Sequence, residues 1–194
     1  MSNELNLPKT ALEIPVGLEL ITLGGGCFWC TEAVFQRLEG VVKVVSGYAG
    51  GLIEHPTYRQ ICTATTGHAE VINVFFDPHK ISLETILEVF WATHDPTTLN
   101  RQGGDVGPQY RSAIFFNSPV QASVANTMKK ALDEAKVFNS RIVTEVTPFS
   151  NFYPAENYHQ EYFNLNGMQP YCQFVVKPKV EKLKAYFADK LKSV

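Results

Sequence analysis

Four cysteines, Cys27, Cys30, Cys62 and Cys172, are the strongest potential nucleophiles in this 194-residue chain. The first two belong to the run GGGCFWC, Gly24 to Cys30. Three glycines let a backbone turn tightly and approach other main chain closely. Where such a turn opens a helix, unpaired N–H groups and the positive end of the dipole favour an anion. A thiol placed there can fall from ~8.5 to between ~3.5 and ~7.5. Cys27 is therefore the candidate nucleophile. An isolated cysteine is more often a buried core residue, but the glycine turn before this one and the helical pattern after it favour reactivity.

Cys27 and Cys30 also spell C-x-x-C, the spacing of a redox pair or of half a zinc site. Zinc would need two further ligands. No second C-x-x-C exists, and His68 or His159 would have to arrive from afar, so no metal is expected. Phe28 and Trp29, between the cysteines, cannot both enter one core. They either pack on a sheet or wall a small apolar pocket beside the sulfur.

The elements that must position these groups follow from periodicity and punctuation. A strand is predicted over 18–23, ended by the glycines, and a helix from Thr31 with Gly40 as its stop. Strands follow over 41–48 and 71–76, with a turn-rich loop over 49–56 between them. Ser82 is a helix N-cap for a run through Ile86, Leu87, Phe90 and His94. Residues 95–109 form a long loop, a feature that often carries function. A strand is expected over 111–116. Ser118-Pro119-Val120-Gln121 reads as a capping box with proline at N1, opening a helix to about Phe138. A strand over 142–146, a short helix over 155–163, a short strand over 174–176 and a terminal helix over 180–191 complete the chain. Without strict β-α-β alternation, the expected class is a two-layer α+β sandwich with a mixed sheet. Residues 1–16 read as an N-terminal arm, and 17–194 as a single catalytic domain ending in a helix.

Composition narrows the function. At 45% hydrophobic the chain can bury a full core without disulfide or metal staples. A net charge of −2 gives no basic field for nucleic acid or an anionic membrane. The first residues lack a basic segment followed by an apolar one, and no apolar run approaches a membrane span of ~20 residues. The expectation is a cytoplasmic protein whose cysteines rest as thiols.

Several ordered motifs carry a resemblance. GCFWC followed by Glu32, SGYAGG (46–51), HPTYRQIC (55–62), TGHAE (66–70), HDPTTLNRQGGDVGPQYRSAIFF (94–116) and NFYPAENYHQEYF (151–163) together resemble the A-type peptide methionine sulfoxide reductases, over roughly residues 20–172. Enzymes of this class reverse methionine oxidation, one enzyme type per sulfoxide epimer.

The resemblance implies a ferredoxin-like core and reduction of the S epimer of methionine sulfoxide, free or in proteins. It implies thioredoxin as reductant; no cofactor and a monomer are expected. It also assigns roles. Cys27 is the nucleophile, left as a sulfenic acid, and Glu70 the acid that protonates the departing oxygen. Tyr58 and Tyr110 hydrogen-bond that oxygen, Asp105 organises polar contacts, and Phe28 and Trp29 wall the methyl pocket. Cys172 is the resolving cysteine, although here no glycine-rich tail follows it. Cys30, within one helical turn of Cys27, is the alternative. Cys62 matches no family role and is read as packing, and His68, His94 and His159 receive no catalytic part. The rival reading is a thiol–disulfide oxidoreductase using the Cys27/Cys30 pair.

Overall fold

A computed structural model describes residues 13–193. Most of the predicted arm, residues 1–12, and residue 194 lie outside the described residues. The elements run β1 (Glu19–Gly25), α1 (Phe28–Phe35), β2 (Val41–Ala49), α2 (Tyr58–Ile61), β3 (Ala69–Phe76), α3 (Leu83–Thr93), β4 (Arg101–Gln102), β5 (Asp105–Val106), β6 (Ser112–Phe116), α4 (Pro119–Glu134), β7 (Glu145–Pro148), β8 (Phe152–Pro154), α5 (Tyr162–Asn166) and α6 (Lys177–Tyr186). A π-helical turn, Cys172–Val176, leads directly into α6.

Six strands form one mixed sheet in the order β7-β6-β1-β3-β2-β8. All neighbours are antiparallel except β6 and β7. Every residue of β3 is buried, as its position between β1 and β2 under a covered sheet requires. Strand alternation then sorts its side chains. Ile72, Val74 and Phe76 join the main core with Ile21, Leu23, Phe35, Phe90 and Ile114, beneath the helices. Val71 meets Ala49, Ala113, Phe115, Phe149 and Phe152 in a smaller cluster on the other face. Glu70 shares the parity of Ile72, so it projects towards the helices. The helix layer lies on one face of the sheet, giving two layers.

Helix α1 is buried all round except at Trp29, wedged against β2 and β3 and between α5 and α6. It opens at Phe28 rather than Thr31 and closes at Phe35. Gly40, at φ +86°, turns the chain into β2 several residues after the helix has ended. Ser82 caps α3 by accepting from the Thr85 N–H, as read from the sequence.

Ser118 accepts from the Gln121 N–H, but the Gln121 amide reaches past the cap and accepts from the Asn117 N–H. The full reciprocal box forms instead at Thr57 and Gln60, opening α2. The strand expected over 174–176 is the π turn, because three apolar residues in a row satisfy a helix facing the core as well as a strand. The strand expected over 142–146 begins at Glu145. The helix expected over 155–163 is a 3-10 turn, Asn157–His159, followed by α5. The long loop contains a small two-stranded hairpin, β4–β5, and a 3-10 turn at Pro108–Tyr110. Among the described residues no helix is long and apolar enough to cross a membrane.

Candidate active site

The site is built where β1 gives way to α1. Gly24 passes between the carbonyls of Glu70 and Arg111, so close that an added Cβ would lie 3.3 Å from each. Gly26 stands at φ +92°, and a Cβ there would sit 2.5 Å from Cγ of Gln102. The next residue, Cys27, is the N-cap of α1, with non-helical backbone at φ −54° and ψ 126°. Its carbonyl accepts the Cys30 N–H at 3.0 Å.

The first free N–H of the helix belongs to Phe28, and Glu70 takes it, Oε2 lying 3.1 Å away. The anion-favouring end of α1 thus binds the carboxyl group of β3 rather than leaving all its donors to the Cys27 sulfur. Glu70 is 1% exposed. Burial pushes its carboxyl up to about 8; the Phe28 N–H offsets part of this, and the charges of Asp105 and Cys30 add to it. Glu70 therefore carries its proton at neutral pH, when it can donate it.

The expectation of a depressed Cys27 thiol is not met. Burial pushes it well up, and the Cys30 and Glu70 charges push the same way; only the Tyr171 hydroxyl opposes them. The helix end is outweighed because the residue is 8% exposed. Cys30 moves the other way, to about 7, chiefly through the hydrogen bond from Cys27. The two thiols share one early proton loss, which belongs to the pair.

The two aromatics divide as the sequence requires. Phe28 is 1% exposed and packs on Tyr48 and His159, with ring centres 5.8 and 5.1 Å away. Trp29 remains partly exposed, stacked on Tyr162 at 3.6 Å with planes 5° apart. Its indole N–H donates to His159 Nδ1 at 3.1 Å, which leaves the His159 proton on Nε2. That Nε2 is buried and has no hydrogen-bond partner among the described residues.

Tyr58 opens α2, and its ring meets His159 at 4.4 Å. Tyr110 arrives from the 3-10 turn before β6. Burial and the Glu70 charge push both phenols up, so both stay protonated donors. Asp105, on β5, accepts the Tyr171 hydroxyl at 2.8 Å. The structure thus gathers Cys27, Cys30, Glu70, Tyr58, Tyr110, Asp105 and Trp29 around one end of α1, with Phe28 beneath them as core.

Cys172 is different. It is fully buried in the π turn, where burial and the Cys30 charge raise its thiol. Cys62, read as packing, is instead exposed at the C-cap of α2, its thiol beside the Tyr58 hydroxyl. His68 is tied at both nitrogens, accepting the Gly51 N–H and facing the Ile53 carbonyl. His94 bridges the Phe90 carbonyl and the Ser112 hydroxyl. Both are structural.

Three side chains that sequence reasoning gave no role help to shape the site. Glu32 accepts the N–H groups of Glu161 and Tyr162, at 2.8 and 3.1 Å, and so fixes the stacking partner of Trp29. Glu156 accepts from the Tyr58 N–H and the Tyr48 hydroxyl, both at 2.8 Å. Both lie inside the matched motifs, where membership was visible and the partner was not. Tyr171 offered only its adjacency to Cys172. Among the described residues no group of three or more His, Cys, Asp or Glu side chains is placed to hold a metal ion.

The chain is similar to known proteins over most of its length. The family model described as peptide methionine sulfoxide reductase matches residues 19–191. The peptide methionine sulfoxide reductase MsrA of Ralstonia nicotianae is 56% identical over 180 residues, covering 91% of this chain and 94% of that protein. Mxr1 from Saccharomyces cerevisiae in reduced form superposes with a TM-score of 0.76 at 35% identity, covering 84% of this chain and 94% of that one. Mxr1 in complex with Trx2 superposes with a TM-score of 0.54 at 29% identity, covering 79% and 91%. With the family matched across nearly all of the described residues, the chain belongs to the peptide methionine sulfoxide reductases.

Proposed function

We propose that this chain reduces methionine S-sulfoxide, free or in proteins, with Cys27 as nucleophile and Glu70 as acid. The observation that carries the assignment is the shared helix end: Cys27 caps α1, and a buried Glu70, protonated near neutral pH, bonds the next N–H.

Cys27 attacks the sulfoxide once the Cys27/Cys30 pair has lost its first proton, carrying the negative charge of the pair as it reacts. Glu70 gives its proton to the oxygen, and Tyr58 and Tyr110 hold that oxygen by hydrogen bonds. The oxygen ends on the Cys27 sulfur as a sulfenic acid. The methionine sulfur has gained two electrons, and Cys27 has lost them. Trp29, with Phe28 behind it, holds the methyl group, and Asp105 orders the polar side. Discrimination against the thioether rests on the phenols, which would be left unpaired by a substrate without oxygen.

Cys172 then attacks the sulfenic sulfur. The S–S bond forms, the S–O bond breaks, and water leaves with the thiol proton. Thioredoxin returns the disulfide to two thiols, a step suggested by the relative solved with Trx2. Because Cys172 is buried, this step requires its turn to open. The position of Cys30 beside Cys27 favours a second reading, in which Cys30 resolves the sulfenic acid or the pair acts as a thiol–disulfide oxidoreductase.

The same reading takes residues 17–194 as one catalytic domain of a cytoplasmic monomer without a cofactor, acting on oxidised proteins or free methionine sulfoxide. It takes the core as ferredoxin-like, supported by the run β1-α1-β2-β3-α3-β6 with sheet order β6-β1-β3-β2. Turnover of separated sulfoxide epimers by the wild type and by Cys27→Ser tests the assignment. The S epimer should be consumed only by the protein with Cys27, and residual turnover by Cys27→Ser would refute it.

A further inference from the structure

Tyr171 stands where the proposed function puts the substrate. Its hydroxyl donates to Asp105 Oδ2 at 2.8 Å. The same hydroxyl lies within reach of the Cys27 and Cys30 sulfurs. Its ring meets Trp29 edge-on, with centres 5.6 Å apart and planes at 78°. An apolar body on Trp29 and contact with the nucleophile are features a methionine sulfoxide would need there, and the bond to Asp105 is the tether that keeps the tyrosine in their place.

The segment that carries Tyr171 has one face in the core, at Cys172 and Val176, and the other in solvent. Leu165, Met168 and Phe174 around it are 73%, 88% and 81% exposed. It runs into the π turn Cys172–Val176, a rare backbone form concentrated at functional sites. A surface segment packed on one face only opens at lower free-energy cost than an element buried on all sides.

We propose that Tyr171 is an intramolecular competitor for the substrate site, a plug that methionine sulfoxide must displace, and that its departure also uncovers the adjoining Cys172. This rests on the proposed function for what enters the site. A competitor within the chain lowers apparent affinity by the fraction of molecules in which it is out. Closed, it shields a reactive sulfur from alkylation and over-oxidation. Open, it admits substrate and releases Cys172 from burial in one movement, so that resolution can follow oxidation without a second rearrangement.

The test compares wild type, Tyr171→Phe and Tyr171→Ala. Tyr171→Phe keeps the ring and loses the bond to Asp105. Its KM for a methionine sulfoxide peptide should fall by about 3- to 10-fold. Mass spectrometry after timed exposure to iodoacetamide should show Cys27 alkylated about 10-fold faster in Tyr171→Ala than in wild type. A side chain that only walled the pocket would raise KM when lost. A KM in Tyr171→Phe at or above the wild-type value, or no gain in Cys27 alkylation in Tyr171→Ala, overturns the plug. Alkylation is read without turnover, so it judges Tyr171 even if the wild type fails to reduce the sulfoxide, a result that would instead overturn the proposed function.

Discussion

Glu70 and Phe28 are joined across 42 residues of chain, the buried carboxyl of one strand accepting the first N–H of the helix that Cys27 caps, at 3.1 Å. This bond places the proposed acid and the proposed nucleophile at one helix end, and it holds the carboxyl in place while burial keeps it protonated. Burial alone would raise it further, and the N–H pulls it part of the way back.

The pH profile should report both groups. The rate of sulfenic acid formation should rise as the Cys27/Cys30 pair loses its first proton near about 7 and fall as Glu70 ionises near about 8. Glu70→Gln should remove the upper limb and lower the rate by about 10²- to 10⁴-fold, measured by single-turnover kinetics.

The same shift predicts stability. Glu70 has a folded value of about 8 against an unfolded 4.5, so the folded chain binds more protons between these values. Stability is therefore lost as pH rises from 4.5 towards 8. By linkage the buried carboxyl costs roughly 3 kcal/mol at pH 7. Glu70→Gln should melt above wild type at pH 8, and the gap should close as pH approaches 4.5.

Gly26→Ala should damage both fold and chemistry. A residue with a Cβ costs about 1 to 2 kcal/mol in left-handed backbone. The clash with Gln102 adds to this, because the Gln102 amide cannot swing away. It accepts the Asp95 N–H at 3.0 Å and donates to the Asp95 carbonyl at 2.9 Å. Thermal denaturation should show a melting point lower by about 5 °C or more. Displacement of Cys27 should lower kcat by at least about 10-fold.

Glu32→Ala should unpin the turn at Glu161, a residue held at φ +53°. Two N–H groups lose their acceptor, at a cost of about 2 to 4 kcal/mol. Tyr162 would no longer be fixed against Trp29, so emission from Trp29 should shift to longer wavelength. Glu32→Gln keeps an acceptor oxygen and should lose less on both counts.

The resolving step separates the cysteines. After one turnover, Cys30→Ser should still form an intramolecular disulfide and cycle with thioredoxin, and Cys172→Ser should stall as the sulfenic acid. Mass spectrometry of the two variants reads this directly. A Cys172→Ser protein that forms its disulfide and cycles would assign the role to Cys30.

The parts of the fold readable from the sequence are those fixed locally. The glycine turn before Cys27, the valine-rich run of β2, the apolar run of β3 and the cap at Ser82 each announce an element within a few residues. The site was readable only as far as motifs could carry it. Glu32 and Glu156 act through backbone N–H groups 98 or more residues away, and no spacing rule encodes such a partner. The direction of the Cys27 shift is hidden from the sequence for the same reason. A helix end is visible in sequence, while the burial that outweighs it depends on distant segments covering that end, the strand that carries Glu70 among them. The 174–176 segment misled because Phe174-Val175-Val176 has strand composition, yet packing beside α1 selects a helical turn.

The central claim is that Cys27 takes the oxygen. Its most direct measurement is mass spectrometry of a protein without resolving thiols, quenched after a single turnover with one equivalent of methionine S-sulfoxide and trapped with a sulfenic acid reagent. The account predicts that one oxygen is captured on the peptide carrying Cys27 in a Cys30→Ser/Cys172→Ser background, in step with methionine release. Oxygen captured on another residue, or methionine released with Cys27 still a thiol, would contradict it.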